Sequence, residues 1–317
     1  MELIRGLHNL RPRHRGCAVT IGNFDGVHLG HKAVLDQLAA AAAEEGVPAL
    51  VMVFEPQPNE FFAPERAPAR LTRLREKLQA LDRDGVDRVL CIRFTDDFAA
   101  FSAERFVEEV LVERLGVRFL AVGDDFRFGH GRTGDFALLQ EAGRRHGFRV
   151  VRRETYSDGG QRVSSTRIRT ALEAGDLEGA AALLGRPYGL CGRVAHGDKR
   201  GRLIGYPTAN VHLHRLKVPV RGVFAVGVTG IHDAPLPGVA NVGLRPTVEA
   251  GRKLPLLETH LLDFQGDIYG RHVRVDLLHR IRDEMRFASL DELKARILAD
   301  ESAARAWFHE RRPHAID

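Results

Sequence analysis

At Gly185-Arg186-Pro187 the patterning of this chain changes, and one layered fold does not accommodate both sides of that point. Before it, short apolar runs alternate with helical stretches. After it, strand-like runs are divided by glycine- and proline-rich turns. A length of 317 residues gives room for two cores, so the expected domains are 1–185 and 186–317.

The first half predicts strands over Cys17–Ile21, Ala49–Phe54, Val89–Phe94, Val117–Val122 and Phe148–Val151. Helices are expected over Leu29–Glu45, Leu71–Asp82, Ser102–Leu115 and Phe136–His146. A parallel crossover needs a dozen or more residues, and helices of this length supply it. The expectation is a doubly wound, Rossmann-like parallel sheet whose ligands lie where strands end and helices begin. Ser164–Leu184 reads as a helical connector broken near Gly175-Asp176 and belonging to the first domain.

The second half predicts six short strands, at Gly189–Val194, Thr208–Leu213, Gly222–Val228, Gly238–Val242, Leu256–Phe264 and His272–Leu278. Their spacing suggests an antiparallel barrel or sandwich. Ser289-Leu290-Asp291-Glu292 has capping-box spacing and opens a helix to about Leu298, with a second expected near Ala303–Arg311.

Function classes narrow by exclusion. No apolar run reaches the length of a membrane span, and the start has no basic segment leading into an apolar core, so a cytoplasmic protein is expected. Cys17, Cys91 and Cys191 are odd in number and scattered among strand-like runs, which suits small buried hydrophobes. The net charge of +5 is too weak for a nucleic-acid-coating surface and suits nucleotides equally well.

The most informative stretch is Gly22-Asn23-Phe24-Asp25-Gly26-Val27-His28-Leu29-Gly30-His31, linking the first strand to the first helix. Its glycines permit tight turns, and the helix start offers free amides and a positive dipole end to phosphate. His28 and His31 are three apart and share a face, so both imidazoles can donate to phosphate oxygens as charge shifts onto them. The bland alternatives are a capping histidine beside a surface one, or part of a metal site. The whole context resembles the nucleotidylyltransferase signature, shared with some aminoacyl-tRNA synthetases. Val163-Ser164-Ser165-Thr166-Arg167, at a later helix start, supplies hydroxyls and a guanidinium for phosphate, although such hydroxyls alone are usually a cap. Between them, Gly123-Asp124-Asp125-Phe126-Arg127-Phe128-Gly129 and Phe54-Glu55-Pro56-Gln57-Pro58 with Phe61-Phe62 fall at strand ends, where aromatics either fill the core or hold a flat ring.

In the second domain, Gly197-Asp198-Lys199-Arg200-Gly201 and Gly205-Tyr206-Pro207-Thr208-Ala209-Asn210 form a glycine- and base-rich loop running into a strand. It can wrap phosphates and ligate Mg²⁺ through oxygen, or it is simply an exposed basic hairpin. Glu258 is a carboxylate within an apolar strand: a solvent-facing residue by alternation, or a general base.

These motifs, with Asn241–Thr247, Glu258–Phe264, Tyr269-Gly270 and Ile281-Arg282-Asp283-Glu284, resemble in type and order the prokaryotic bifunctional riboflavin kinase/FAD synthetase family over nearly the whole chain. The resemblance implies an N-terminal nucleotidylyltransferase domain and a C-terminal six-stranded β-barrel kinase domain with terminal helices. It implies phosphorylation of riboflavin to FMN and ADP in the barrel, with Glu258 as base and Thr208 and Asn210 at Mg²⁺ and the ATP phosphates. It further implies adenylylation of FMN by ATP to FAD and pyrophosphate in the first domain, through His28 and His31. Nucleotide contacts then fall to Gly22, Asn23, Phe24, Asp25, Gly26, Ser164, Ser165, Thr166 and Arg167, and in the barrel to Gly197, Lys199, Gly205, Pro207, Thr208 and Asn210. Flavin contacts fall to Phe62, Asp125, Phe126 and Arg245.

Two departures stand out: Gln57 occupies a position where the family often has histidine, and Val248 one where an aromatic is common. Three other readings are an adenylyltransferase for another substrate with an accessory barrel, an RNA-binding protein, and a flavin-binding regulator that consumes no ATP. Against RNA or membrane partners, the chain lacks arginine clusters interleaved with aromatics and lacks a span.

Overall fold

The computed structural model describes residues 1–123, 125–153, 156–195, 206, 208–246 and 253–311. Two compact units emerge, Met1–Pro68 with Thr72–Ser164, and Ala69–Leu71 with Ser165–Asp317.

The first unit is built on strands β1 (Glu2–Arg5), β2 (Cys17–Ile21), β3 (Ala49–Glu55), β4 (Arg88–Arg93), β5 (Val117–Val122) and β6 (Arg149–Arg152), in the order β1-β4-β3-β2-β5-β6. Every pairing is parallel. The strands are apolar on both faces because both are covered. One core joins Val19, Ile21, Met52, Leu120 and Val122 to Phe106, Leu111 and Leu139. The other joins Ala18, Val51, Val53 and Phe119 to Leu35, Leu38 and Leu81. The helices are α1 (Leu29–Glu45), α2 (Pro58–Phe62), α3 (Leu74–Arg83), α4 (Asp96–Ala99), α5 (Ala103–Arg105) and α6 (Phe136–His146). The helix expected over Ser102–Leu115 is α-helical only through α5 and continues over Phe106–Arg114 in wider i→i+5 turns. Strand β1 carries no signal in the sequence, being a four-residue edge strand. A two-stranded ribbon follows, β7 (Ser157–Asp158) and β8 (Gln161–Arg162).

In the second unit, α7 (Ser165–Ala174) and α8 (Leu177–Leu184) meet at the expected break, where Gly175 is left-handed and the Asp176 carboxylate caps α8. The short segment Ala69–Leu71 is held by arginines of this unit. Arg169 donates to the Ala69 carbonyl (2.6 Å), and Arg215 to those of Arg70 (3.0 Å) and Leu71 (3.3 Å).

Strands β9 (Gly189–Ala195), β10 (Ala209–His212), β11 (Gly222–Thr229), β12 (Leu236–Pro246), β13 (Lys253–Leu261) and β14 (His272–Arg282) close into an antiparallel barrel, in the order β10-β13-β12-β11-β14-β9. Directly paired residues share a face. The row Val211, Leu257 and Val242 is fully buried inside the barrel, and its neighbours point outward. The end of the chain corrects the sequence expectation of two helices, since Leu290–Glu310 is one helix capped by Ser289. Ala299-Asp300-Glu301-Ser302 contains no breaker, and Asp300 is buried mid-helix against the Arg282 guanidinium at 2.7–3.0 Å. Among the described residues no helix is long and apolar enough to cross a membrane.

Candidate active sites

The β2–α1 loop is shaped by its own backbone. Phe24 and Val27 take positive φ without being glycine, at 46° and 42°, and Gly26 sits at 90°. Such conformations persist only where neighbours impose them. Here Thr72 does so: the Asp25 carboxylate accepts from its amide (2.9 Å) and hydroxyl (3.3 Å), and the Gly26 amide donates to that hydroxyl (2.9 Å). Phe24 and Asp25 are buried, whereas Gly22 and Asn23 are half-buried.

The loop delivers His28 to the N-cap of α1. His28 and His31 cap each other, each backbone N–H donating to the other ring's Nδ1 at 3.2–3.3 Å, and the rings stack 3.7 Å apart. The capping alternative and the ligand-binding reading are therefore compatible. A ring whose Nδ1 accepts is neutral with its proton on Nε2, so each imidazole keeps one donor for something outside the cap. Burial first, then the His28 ring, then Arg153, Lys77 and Arg162 hold His31 well below the usual imidazole range. Lys77, on α3, is fully buried. Gly30 lets this pair close on the later motif, since a Cβ there would stand 3.1 Å from both His28 Nδ1 and the Val163 carbonyl, one residue before Ser164. Ser165, Thr166 and Arg167 form the first turn of α7 in the second unit.

A cleft of about 570 Å³ in the first unit is lined by Phe54, Phe62, Phe94, Phe98, Phe126 and Phe128, among others. It unites the two predicted ring-holding residues, the exposed Phe62 and half-buried Phe126, which stacks on Phe128 at 5.5 Å. Asp125 lies instead beside Gly123, and Asp124 lies outside the described residues. Gln57 is 6% exposed, and its side-chain nitrogen has no hydrogen-bond partner among the described residues.

On the barrel, β-register places Asn210, Glu258 and Asn241 in one row across three strands. This row belongs to the outer wall. A cavity of about 180 Å³ there includes Thr208, Asn241, Glu258, Arg282 and Glu284, and residues of the terminal helix such as Leu293 and Ile297 also line it. Glu258 is thus half-buried in a cavity and not on open surface. A second cleft of about 270 Å³ is lined by Thr208, Thr259, Phe264, Asp267 and Tyr269, so Thr208 lines both cavities. Gly197, Lys199, Gly205 and Pro207 lie outside the described residues. Arg245 pairs by backbone with Leu254 on β13.

Sequence reasoning missed Thr72, Lys77 and Arg153 in the first unit, and Asn241 and Glu284 as lining residues in the second. Only the last two lay in motifs already singled out.

A Rossmann-like sheet with stacked, donor-bearing histidines, joined to a β-barrel with a walled carboxylate, defines a two-domain nucleotide-handling transferase. The family models for FAD synthetase and riboflavin kinase match residues 10–167 and 184–308. The bifunctional riboflavin kinase/FMN adenylyltransferase of Escherichia coli K12 is 56% identical over 99% of this chain and 100% of its own. That of Pseudomonas fluorescens is 55% identical over 96% and 97%. A crystal structure described as a macrolide-efflux protein from Streptococcus pneumoniae superposes with a TM-score of 0.80, at 31% identity over 97% of this chain and 100% of that one. The chain belongs to the bifunctional riboflavin kinase/FMN adenylyltransferase family, with its FAD synthetase domain first and its flavokinase domain second.

Proposed function

We propose that the two reactions of this family divide between the two sites by the charge of their nucleophiles, with the functional boundary at residues 185/186. The observation that carries this reading is the contrast in donor sets, Nε2–H groups of two stacked imidazoles on one unit and a carboxylate between two amides on the other.

In the barrel, the 5′-hydroxyl of riboflavin attacks the γ-phosphorus of ATP. Glu258 takes the hydroxyl proton, the bond from γ-phosphorus to the β-bridging oxygen breaks, and ADP leaves. An alcohol is a poor nucleophile until deprotonated, so a positioned base helps, although most of the rate comes from positioning and charge neutralisation. Thr208, lining both cavities, stands where the two substrates meet, with riboflavin under the terminal helix and ATP in the second cleft. The hydroxyl of Thr208 and the amide oxygen of Asn210 are hard, neutral donors, which fits a Mg²⁺ ion that keeps most of its shell from water and phosphate oxygens. When bound, such an ion neutralises charge on the phosphates. Gly197, Lys199, Gly205 and Pro207 complete the ATP side on this reading, and Arg245 the flavin side.

In the first unit, a phosphate oxygen of FMN attacks the α-phosphorus of ATP. A new P–O–P link forms, the α–β bridge breaks and pyrophosphate leaves. The nucleophile is already an anion, so no base is needed and hydrogen-bond donors suffice. His28 and His31 supply them. Gly22, Asn23 and Gly26 line the loop, while Phe24 and Asp25 act through its shape. Ser164, Ser165, Thr166 and Arg167 hold ATP phosphates, a role supported by the FAD synthetase match extending to residue 167. Phe62 and Phe126 hold the isoalloxazine, and Asp125 a polar edge. The partners are riboflavin, FMN, FAD, ATP, ADP and pyrophosphate, with neither nucleic acid nor membrane, in the cytoplasm.

Product chromatography tests the division. Glu258→Ala should form no FMN from riboflavin and ATP, yet convert supplied FMN to FAD at the wild-type rate. Loss of both activities in a folded variant contradicts separate sites.

A further inference from the structure

We propose that Arg153, which none of the sequence motifs contains, is a further phosphate-binding residue of the adenylyl-transfer site, its guanidinium spanning the point where the sheet reverses. This rests on the first unit being the adenylylating one.

From β2 the chain winds outward through β3 to β4, then returns to place β5 on the other side of β2. In such sheets the crevice at the carboxyl ends of the two strands flanking the reversal takes the ligand. Those ends are Ile21 and Val122, and the first residue beyond each is glycine, Gly22 and Gly123. Arg153 directly follows β6, and its amide donates to the Val122 carbonyl (2.9 Å), which anchors it at the carboxyl end of β5. Its side chain then covers both glycines. A Cβ on Gly123 would stand 2.5 Å from Nη2 and 3.3 Å from Cζ, and one on Gly22 would stand 3.7 Å from Nη1. The same Gly123 position lies 2.8 Å from an Asp125 carboxylate oxygen, so acid and guanidinium converge there.

The two glycines leave space that the guanidinium fills. Its charge also reaches the histidine pair, being among the influences that keep His31 neutral. The chemistry served is specific. FMN and ATP both bring anionic phosphates that must approach to bonding distance, and a planar guanidinium can hold two phosphate oxygens at once. The ligand is therefore a phosphate, either the monoester of FMN or the triphosphate of ATP.

The test uses the full chain, with FMN and ATP varied separately in FAD synthesis and riboflavin phosphorylation measured on the same preparations. Arg153→Met keeps the length of the side chain and removes its charge. Loss of a charge-assisted contact should lower kcat/KM for FAD synthesis by roughly 10- to 100-fold. Riboflavin phosphorylation should stay within about twofold, the resolution at which such kinetic differences are read. A raised KM for FMN alone assigns the monoester, and a raised KM for ATP alone assigns the triphosphate. Arg153→Lys, keeping charge without the planar fork, should recover part of the loss. Wild-type kcat and both KM values in Arg153→Met overturn the proposal. If that variant loses both activities through misfolding, Arg153→Lys decides. A raised KM for either phosphate substrate with normal riboflavin phosphorylation sustains the proposal, and wild-type values for both overturn it. Wild-type protein that forms no FAD from FMN would instead defeat the reading of the whole unit.

Discussion

The loop that carries the histidines and the wall that carries Glu258 are built in opposite ways. The loop is irregular, with two non-glycine residues at positive φ, and keeps its shape through Thr72, a residue distant in sequence. The wall is regular, and Asn210, Glu258 and Asn241 are aligned by strand register alone. The difference follows from what each site must offer. Donors for phosphate come from a helix start and need the backbone to turn sharply before it. A base for a hydroxyl needs one carboxylate held still, which a barrel strand does without special backbone.

The largest effect should come from emptying the loop of its donors. Removing one positioned donor to developing charge costs on the order of 100- to 1,000-fold. His31→Ala should therefore cut FAD synthesis by that factor and leave riboflavin phosphorylation unchanged. Because the two histidines cap each other, His28→Ala also removes a helix cap, and its loss should exceed that of His31→Asn. Steady-state assays of both reactions on each variant check this, and equal losses in the two reactions would break the contrast.

The barrel depends instead on the helix that covers its cavity. Arg282 and Asp300 form a buried bidentate pair, and both line the cavity. Removing one member of such a pair leaves the other charge uncompensated, at about 3–5 kcal/mol. Asp300→Ala should loosen the terminal helix, raise the KM for riboflavin and spare FAD synthesis from FMN. The chain's one tryptophan, Trp307, lies on that helix and stacks on His279 of β14 at 5.7 Å, so its fluorescence should report the loosening. An unchanged spectrum and KM would show that the helix is held by its apolar contacts alone.

Elements that depend on local pattern were readable in the sequence. Strands β2 to β6 of the sheet, all six barrel strands and the break at Gly175 fall where alternation and glycine placed them. The capping role of the histidines was visible as an alternative, but that the cap engages Nδ1 of both rings required their geometry. What the sequence concealed is tertiary. Strand β1 is too short to show a period, the terminal helix is joined across its centre by Asp300 meeting a strand, and the wider turns of Phe106–Arg114 have no compositional mark. Thr72 and Arg153 act on loops far from them in sequence, so no motif includes them. Helices α7 and α8 read as part of the first domain yet pack with the second unit.

A weaker but cleaner effect is pH dependence. His31 titrates well below its ordinary value of 6.5 in the folded protein, chiefly through burial. Below about pH 6.5 the unfolded chain takes up a proton on this residue that the folded chain refuses, so stability is complete above that pH and declines as pH falls, by up to about 1.4 kcal/mol per unit for one proton. Thermal unfolding followed by circular dichroism between pH 7.5 and 5.5 should show this slope, and His31→Gln should flatten it. The barrel offers a reference: unfolding of the second unit, followed by Trp307, should not change its slope in that variant. Binding of inorganic pyrophosphate should draw a proton onto the pair, visible as a calorimetric enthalpy that varies with the buffer's ionisation heat.

The smallest expected effect sharpens the comparison at one amide. Gln57 is buried at the end of β3, and its side-chain nitrogen makes no hydrogen bond among the described residues. A buried polar group left in that state costs about 1–3 kcal/mol. Gln57→Leu should therefore hold or raise the melting temperature. If the amide is kept for a phosphate, the same variant should form FAD several-fold more slowly, the loss expected for one neutral hydrogen bond of about 1 kcal/mol. Gln57→His, the residue common elsewhere in the family, should restore the rate by offering a ring donor from the same position. Riboflavin phosphorylation should be untouched in both. A leucine variant that is more stable and equally fast would make Gln57 a packing residue, and the donors of the first site would then not include this amide.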